Sequence, residues 1–433
     1  MRRLADDPPL ALSRGSGAWL YDETGRRYLD AISSWWVNLF GHCHPFIGAA
    51  VADQLGRLEH AMLAGCTHGP VVELSERLSA LTGGRLSRCF YASDGASAVE
   101  IALKMSFHCW RNAGSPEKRE FACLRGGYHG ETLGALAVTN VGLFREPYAP
   151  LLFRTHLLEA PDLRSDEPGP PGERSTARDA GERSTALALA AAERLLQEHS
   201  ERLAALIVEP LVQCAGGMVM HAPAYVRGLR GLCDRYRVHL IADEIAVGCG
   251  RTGTFFACEQ AGIWPDFLCL SKGISGGYLP LSVVMTGDDV FAAFYDEDVG
   301  RAFLHSHSYT GNPLACRAAL ASLELFERDA VLARNQATAA RLTRALEPLR
   351  AQARVAGLRR CGMIWAFEVA LENAAAQARF ARRLQQAARE RELLLRPIGP
   401  TVYLMPPYIL DDEEVDFLAA GTLGAVAAAL RAD

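Results

Sequence analysis

Two residues set the chemical question in this chain. Asp243 closes the apolar run Leu240-Ile-Ala, and Lys272 follows the run Phe267-Leu-Cys-Leu after a single serine; they stand 272 − 243 = 29 residues apart. If both runs are strands of an open parallel sheet, the carboxylate and the amine emerge at the carboxyl edge, where such sheets bind ligands. A lysine and an acid facing one crevice are what pyridoxal phosphate requires. The lysine forms a Schiff base with the aldehyde, and the acid keeps the pyridinium nitrogen protonated so that the ring accepts electrons. Burial would lower the lysine pKa to suit that task. Without further parts, the pair would read as a structural ion pair or as two unrelated surface residues.

Two further segments add to it. Tyr91-Ala-Ser-Asp-Gly-Ala-Ser-Ala-Val-Glu100 follows an apolar run and opens a helix expected over Ala98–Trp110. Small residues at a helix start expose backbone N–H groups to an anion such as a phosphate; alone, Ser93 or Asp94 would be an ordinary N-cap. Gly126-Gly-Tyr-His-Gly130 places an aromatic between glycines, where it can lie flat on a ring. Alone, that is a turn with a packed tyrosine.

Rival signals are weaker. Gly248-Cys-Gly-Arg-Thr-Gly253 satisfies the dinucleotide pattern G-x-G-x-x-G, but it lies beyond Asp243-Glu-Ile-Ala-Val instead of directly at a strand end. His42-Cys-His44 and His305-Ser-His307 lack a supporting carboxylate cluster and read as turn histidines, so no metal is expected. Glu209, after Ala205–Val208, is expected behind the site.

The elements that must position these residues emerge from the pattern of apolar runs. Strands are expected at Arg88–Ala92, Glu120–Leu124, Ala205–Val208, His239–Ala242, Phe267–Leu270 and Leu281–Thr286. They alternate with helices, which indicates an α/β fold whose parallel sheet is covered on both faces. A hairpin is expected over Ala18–Ile32 around Glu23-Thr-Gly25, helical periodicity from about Pro45 to Thr82, and a helix from about Ala186 to Leu206. Asp162–Gly181, rich in Pro, Gly, Ser and charge, carries the repeat Gly172-Glu-Arg-Ser-Thr-Ala and Gly181-Glu-Arg-Ser-Thr-Ala; it reads as a surface-loop insertion with a disordered tip. Residues 1–45 and 313–433 are expected to build a smaller domain around a large one at 46–312.

Composition fits an enzyme of this size. The chain has 433 residues, 49% hydrophobic and 22% charged, with net charge −5, which disfavours nucleic acid or an anionic membrane surface as partner. The twelve scattered cysteines, none in a Cys-x-x-Cys pair, suit a reducing cytoplasm. Arg2-Arg3 is followed by polar Ala5-Asp-Asp-Pro-Pro9 and not by an apolar core, so no signal peptide is expected; no stretch of about 18 apolar residues suggests a membrane span.

Longer motifs extend this reading. Leu240-Ile-Ala-Asp-Glu-Ile-Ala-Val-Gly-Cys-Gly-Arg-Thr-Gly253 and Leu270-Ser-Lys-Gly-Ile-Ser-Gly-Gly277 resemble the class III (ω-type) aminotransferases over nearly the whole chain, Trp19 to Leu410. Ile32-Ser-Ser-Trp-Trp-Val37, Ala64-Gly-Cys-Thr-His68, Gly127-Tyr-His-Gly-Glu-Thr132, Val208-Glu-Pro-Leu-Val-Gln-Cys-Ala-Gly-Gly-Met218 and Arg396-Pro-Ile-Gly through Tyr403-Leu-Met-Pro-Pro407 resemble its biotin-synthesis branch. The resemblance implies fold-type I architecture: a mostly parallel central sheet with helices on both faces, plus a smaller α+β domain built from both termini. It also implies pyridoxal 5′-phosphate as cofactor and a homodimer with its active site at the interface. Lys272 would be the Schiff-base lysine, Asp243 the partner of the pyridinium nitrogen, Tyr128 and Ile245 the two faces around the ring, and Gly95 and Ala96 the phosphate cradle. Ser308 would reach the phosphate from the partner subunit, with Asp94 turned away from it. Trp35, Trp36 and Tyr403 would line the substrate pocket and Arg396 would hold the substrate carboxylate. The implied acceptor is 8-amino-7-oxononanoate, with S-adenosylmethionine or lysine as donor; a diamine or ω-amino acid transaminase is the alternative.

Overall fold

The computed structural model describes residues 8–161 and 177–431. They cluster into two compact units: Ala50–Leu332, and the chain up to Ala49 together with Ala333 onward.

Seven strands of the larger unit form one sheet: β1 (Arg88–Ala92), β2 (Glu120–Leu124), β3 (Thr155–Leu158), β4 (Leu203–Val208), β5 (His239–Asp243), β6 (Phe267–Leu270) and β7 (Ser282–Thr286), in the order β1-β7-β6-β5-β4-β2-β3. All neighbours are parallel except β7, which runs antiparallel between β6 and β1, pairing Ser282 with Ala92 and Leu270 with Val283. The run Leu281–Thr286, expected to join a parallel sheet, is therefore its reversed strand. Apolar content reports burial on both faces but not strand direction. Strand β3, with the polar pair Thr155-His156 at the sheet edge, adds to the six expected strands.

Alternation along β4 shows how the sheet is covered. Ala205 and Ile207 pack with α1 (Gly95–Asn112) through Ala98, Ile101, Ala102 and Met105. Leu206 and Val208 pack with α2 (Ala177–His199) and α3 (Pro223–Tyr236) through Ala192, Leu196, Tyr225 and Leu229. Side chains of period 2 feed two helical layers, and each fully buried Leu or Ile stabilises by roughly 1.5–3 kcal/mol. Trp110 of α1 ties helix to sheet by donating its Nε1 hydrogen to Ala204 O at 2.9 Å.

Helix α2 corrects the sequence expectation at both ends. It begins at Ala177, takes in the second copy of the repeat, and stops at His199 so that Leu203 can enter β4. The Leu-Ala-Ala-Leu-Ile-Val run, wholly buried, is strand and not the end of a helix. The rest of the expected insertion, 162–176, lies outside the described residues. Helix α4 (Pro313–Arg328) packs on Gly69–Leu81 and on the turn Lys272–Ser275, so the larger unit runs on to Leu332, beyond the boundary expected at 312.

After β4, a ribbon pairs Val212–Gln213 with Val219–Met220 and is closed by His221, whose buried Nε2 accepts from Leu211 N at 3.0 Å. Burial pushes the His221 pKa down to about 4. The unfolded chain then takes up a proton from about pH 6.5 downward that the folded ring refuses. The associated stability is complete above pH 6.5 and is lost as pH falls through 4, a change of about 3 kcal/mol. Urea unfolding at pH 7 and pH 4.5 should show His221→Gln losing less stability on acidification than the wild type.

In the smaller unit, Leu12–Ser16, Trp19–Asp22 and Arg27–Asp30 form an antiparallel meander, extended by Leu393–Leu394 running parallel to Arg27–Asp30. The turn falls at Glu23-Thr24-Gly25, with Gly25 at φ 85° and Asp22 Oδ1 accepting from Thr24 N. A second antiparallel sheet orders Val355–Cys361, Ile364–Val369 and Thr401–Leu404. Helices Ala374–Arg389 and Asp412–Arg431 complete the unit.

Candidate active site

Parallel strands deliver three ionisable residues to one edge. Glu209 follows β4, Asp243 ends β5 and Lys272 stands two residues beyond β6; the registers pair Val208 with Ala242 and Asp243 with Cys269. Gly126–His129 follows β2 at the same edge, and Ser93–Gly95 follows β1, which two antiparallel pairings bring parallel to β6.

Asp243 is buried, and both its oxygens are held. His129 Nδ1 stands 2.7 Å from Oδ2, and Ile245 N donates to Oδ1 at 3.1 Å. His129 is itself fixed by its backbone N–H, which donates to Thr139 Oγ1 at 2.9 Å. A buried carboxylate oriented by two donors is ready to meet a cationic ring nitrogen. Sequence reasoning gives His129 no role, although it sits inside the Gly127-Tyr-His-Gly motif.

Lys272 is half-buried and lies in the left-handed region at φ 46°, strained for a residue with a side chain. The preceding Ser271 is anchored, its Oγ donating to Leu281 O at 2.9 Å. Burial pushes the Lys272 ammonium down from the ordinary amine range, against the raising effects of Asp243, Cys214 and Glu209. Glu209 Oε2 accepts from Tyr128 N at 2.9 Å and Oε1 from Cys214 N at 3.0 Å, with its pKa pushed up to about 7 by burial. Glu209 thus braces the tyrosine segment from behind. Tyr128 donates its hydroxyl hydrogen to Glu131 Oε1 at 2.9 Å, and its ring meets Phe144 edge-on at 5.4 Å.

The start of α1 is shaped for close approach. A Cβ at Gly95 would come within 3.0 Å of Ile245 Cδ1 and Cγ2, and one at Gly130 within 2.6 Å of Ala96 Cβ. The Asp94 carboxylate turns back as N-cap, accepting from Ser97 N at 2.9 Å and Ser97 Oγ at 2.8 Å. The amides of Gly95 and Ala96 come next in the chain, and Ala96 lies against the Gly127–Gly130 turn. These residues fit a ring with a phosphate arm: a small-residue helix start, a half-buried lysine, and a fixed buried carboxylate.

Other singled-out residues have structural partners. A Cβ at Gly248 would stand 2.8 Å from Glu244 O, and Gly250 turns at φ 86° to donate its N–H to Phe255 O. The glycine pattern is thus a tight turn. Glu244 fastens the segment beyond that turn, accepting from Ala257 N at 2.6 Å and Cys258 N at 2.8 Å. His307 Nε2 pairs with Ser93 Oγ at 2.9 Å, His305 Nδ1 with Lys104 Nζ at 2.8 Å, and Ser308 lies exposed between His307 and Tyr309. Among the described residues no group of three or more His, Cys, Asp or Glu could hold a metal ion.

In the smaller unit Trp36 donates its Nε1 hydrogen to the Tyr403 hydroxyl at 3.1 Å, and the two rings meet edge-on at 6.1 Å. Trp35, 54% exposed, carries the Arg396 guanidinium over its ring at 4.4 Å. A cation over an aromatic face is attracted by the ring, which fixes where this guanidinium sits.

The family profile described as aminotransferase class-III matches residues 1–422. The chain belongs to the class III aminotransferases. The cofactor of that family is pyridoxal phosphate, and one similar structure, an amine transaminase from an uncultivated Pseudomonas species in the PLP-bound form, superposes with TM-score 0.90 at 32% identity over 98% of this chain and 96% of that one. Adenosylmethionine-8-amino-7-oxononanoate aminotransferase from Helicobacter pylori is 44% identical over 96% of this chain and 91% of its own length. The enzyme of that name from Methanocaldococcus jannaschii has a crystal structure that superposes with TM-score 0.89 at 31% identity, covering 98% of this class III chain and 94% of that one.

Proposed function

We propose that the chain aminates 8-amino-7-oxononanoate to 7,8-diaminononanoate, the transamination of biotin synthesis, with S-adenosylmethionine as donor. The observation that carries this reading is the Arg396–Trp35 stack together with the Trp36–Tyr403 bond. A guanidinium held over one indole, beside a second aromatic pair, suits a long apolar acceptor ending in a carboxylate. The names of the relatives support the same substrate. Amine and ω-transaminases of like fold favour a second reading, a transaminase for a diamine or an ω-amino acid.

Pyridoxal phosphate, when bound, supplies an aldehyde that exchanges amines and a ring that accepts the electron pair left by a departing proton. Lys272 would hold it through Nζ, Asp243 at the ring nitrogen, Tyr128 and Ile245 on its faces, and Gly95 and Ala96 at the phosphate. The Asp243 carboxylate holds the proton at the ring nitrogen. With its pKa lowered by burial, Lys272 Nζ takes the proton from the donor carbon as a base and gives it up again as an acid. Arg396 binds the acceptor carboxylate, while Trp35, Trp36 and Tyr403 exclude water from its apolar chain.

We assign the working form to a homodimer in which Ser308 faces the phosphate bound by the other subunit. Tyr309, next to Ser308 in the chain, and Val299 and Leu304 earlier in the same segment are exposed apolar side chains that a second copy would cover. All twelve cysteines are free thiols, which supports the cytoplasm as its compartment. No helix among the described residues is long and apolar enough to cross a membrane.

The deciding experiment offers 8-amino-7-oxononanoate with S-adenosylmethionine and, separately, with lysine, and measures 7,8-diaminononanoate. Product from the first donor supports the reading, product from lysine alone moves the donor, and product from neither overturns the acceptor. Replacing Arg396 with alanine should raise the acceptor KM by about 10- to 100-fold, the loss of a charge-assisted pair worth roughly 1.5–3 kcal/mol.

A further inference from the structure

The smaller unit contains a stretch of backbone that its residue types do not favour. Ser33, Ser34, Trp35 and Trp36 have φ values of 51°, 46°, 70° and 75°. Four consecutive residues with side chains thus run left-handed, at about 1–2 kcal/mol each relative to the right-handed form. Such a turn persists only if its surroundings fix it. Two backbone bonds close it, Trp36 N donating to Ile32 O at 2.9 Å and Val37 N to Ser33 O at 3.0 Å. Three side chains anchor it: Ser33 Oγ donates to Met405 O at 2.7 Å, Trp36 Nε1 to the Tyr403 hydroxyl, and Ser34 Oγ to Asp30 Oδ2 at 2.7 Å.

The third anchor leads outward to a rigid frame. Asp30 is 1% exposed and ends a strand of the meander. Its Oδ2 also faces His42 Nε2 at 3.1 Å, while Oδ1 accepts from Ile32 N at 3.4 Å. Asn38 Nδ2 lies 3.2 Å from His42 Nδ1. An amide nitrogen can only donate, so Nδ1 accepts and Nε2 carries the hydrogen that points at Asp30. The His42 backbone is pinned in turn: His42 N donates to Gly17 O at 2.7 Å and Gly17 N to His42 O at 3.1 Å. Its Cβ lies so close to Gly15 that a Cβ there would come within 2.6 Å. A buried carboxylate is weak support for stability compared with an apolar side chain of the same volume. What this one does is join a fixed hairpin to a strained turn that presents two tryptophans.

We propose that Asp30, acting through Ser34 and buttressed by His42, is a positioning residue that keeps Trp35 and Trp36 in the left-handed turn and so sets affinity for the acceptor. The proposal rests on the assignment of the tryptophan pair to the acceptor made above. Asp30 touches no reacting atom, so its loss is felt in KM and not in the proton transfers at Lys272.

The test exploits the strain itself. Ser34→Ala and Ser34→Gly both remove the hydroxyl that binds Asp30. Alanine leaves the left-handed strain in place without its anchor, whereas glycine adopts positive φ freely. Ser34→Ala should raise the acceptor KM roughly tenfold, equivalent to about 1.4 kcal/mol, with kcat changed less than about twofold. Ser34→Gly should stay within about threefold of wild type in KM. Equal KM values for the two variants, or an effect on kcat alone, overturn the proposal. Asp30→Asn should match Ser34→Ala; if it does not fold, the serine pair still decides.

A second measurement needs no substrate. In protein labelled with 5-fluorotryptophan, Trp35→Phe and Trp36→Phe identify two ¹⁹F resonances. Both should shift or broaden in Ser34→Ala and return in Ser34→Gly; spectra unchanged by Ser34→Ala overturn the proposal. If wild type forms no product from 8-amino-7-oxononanoate, the acceptor reading fails, and the fluorine spectra still decide the positioning role.

Discussion

Replacing Lys272 with alanine should lower turnover by at least about 10⁴-fold, because in the proposed mechanism one amine serves as both the covalent anchor and the proton carrier. The variant should still bind pyridoxal phosphate, since the Gly95–Ala96 helix start and the Asp243 carboxylate remain. Two measurements check this. Borohydride followed by mass spectrometry should attach the cofactor to the peptide containing residue 272 in wild type and to no peptide in the variant. Added methylamine, which can enter the vacated space as a diffusible base, should restore part of the rate. A variant that keeps wild-type turnover would remove Lys272 from the mechanism.

Asp243→Asn is the sharper electrostatic test. The amide keeps the shape, and its oxygen can still accept from Ile245 N. The charge is lost, in a place buried from water where charge acts strongly, and the side facing His129 Nδ1 changes from acceptor to donor, so that ring must switch tautomer to keep its bond. We expect kcat/KM to fall roughly 10³-fold, the scale seen when a preorganised partner of a developing charge is removed. Folding should be little affected, because a neutral side chain needs less compensation in a dry site than a carboxylate does. The Lys272 ammonium should also move further down, since Asp243 is the largest of the influences that raise it. Activity within tenfold of wild type would show that the ring nitrogen does not meet this residue.

Part of the site is legible in the sequence. Asp243 and Lys272 are visible because each stands at or just beyond the end of a short run of wholly buried apolar residues, and a parallel register then carries both to one edge. The Asp94 carboxylate folding back on Ser97 is expected from its N-cap position. Other features leave no trace in local sequence. Nothing in Ser33-Ser-Trp-Trp36 suggests positive φ, because the turn is held by Met405 and Tyr403, more than three hundred positions along the chain. His129 reads as a turn residue because its partner, Asp243, is 114 residues away. The reversal of β7 is silent too: a strand buried on both faces reads alike in either direction.

That reversed strand bears on biogenesis. β1 hydrogen-bonds only to β7 within the sheet, and the register joins residues 282 − 92 = 190 positions apart. At about 5–20 residues per second, the ribosome takes roughly 10–40 s to make the partner after β1 emerges. For that interval Arg88–Ala92 has no neighbour and offers an open backbone edge to other nascent chains. Translation speed and chaperone supply over this window should therefore govern how much of the chain reaches its native form.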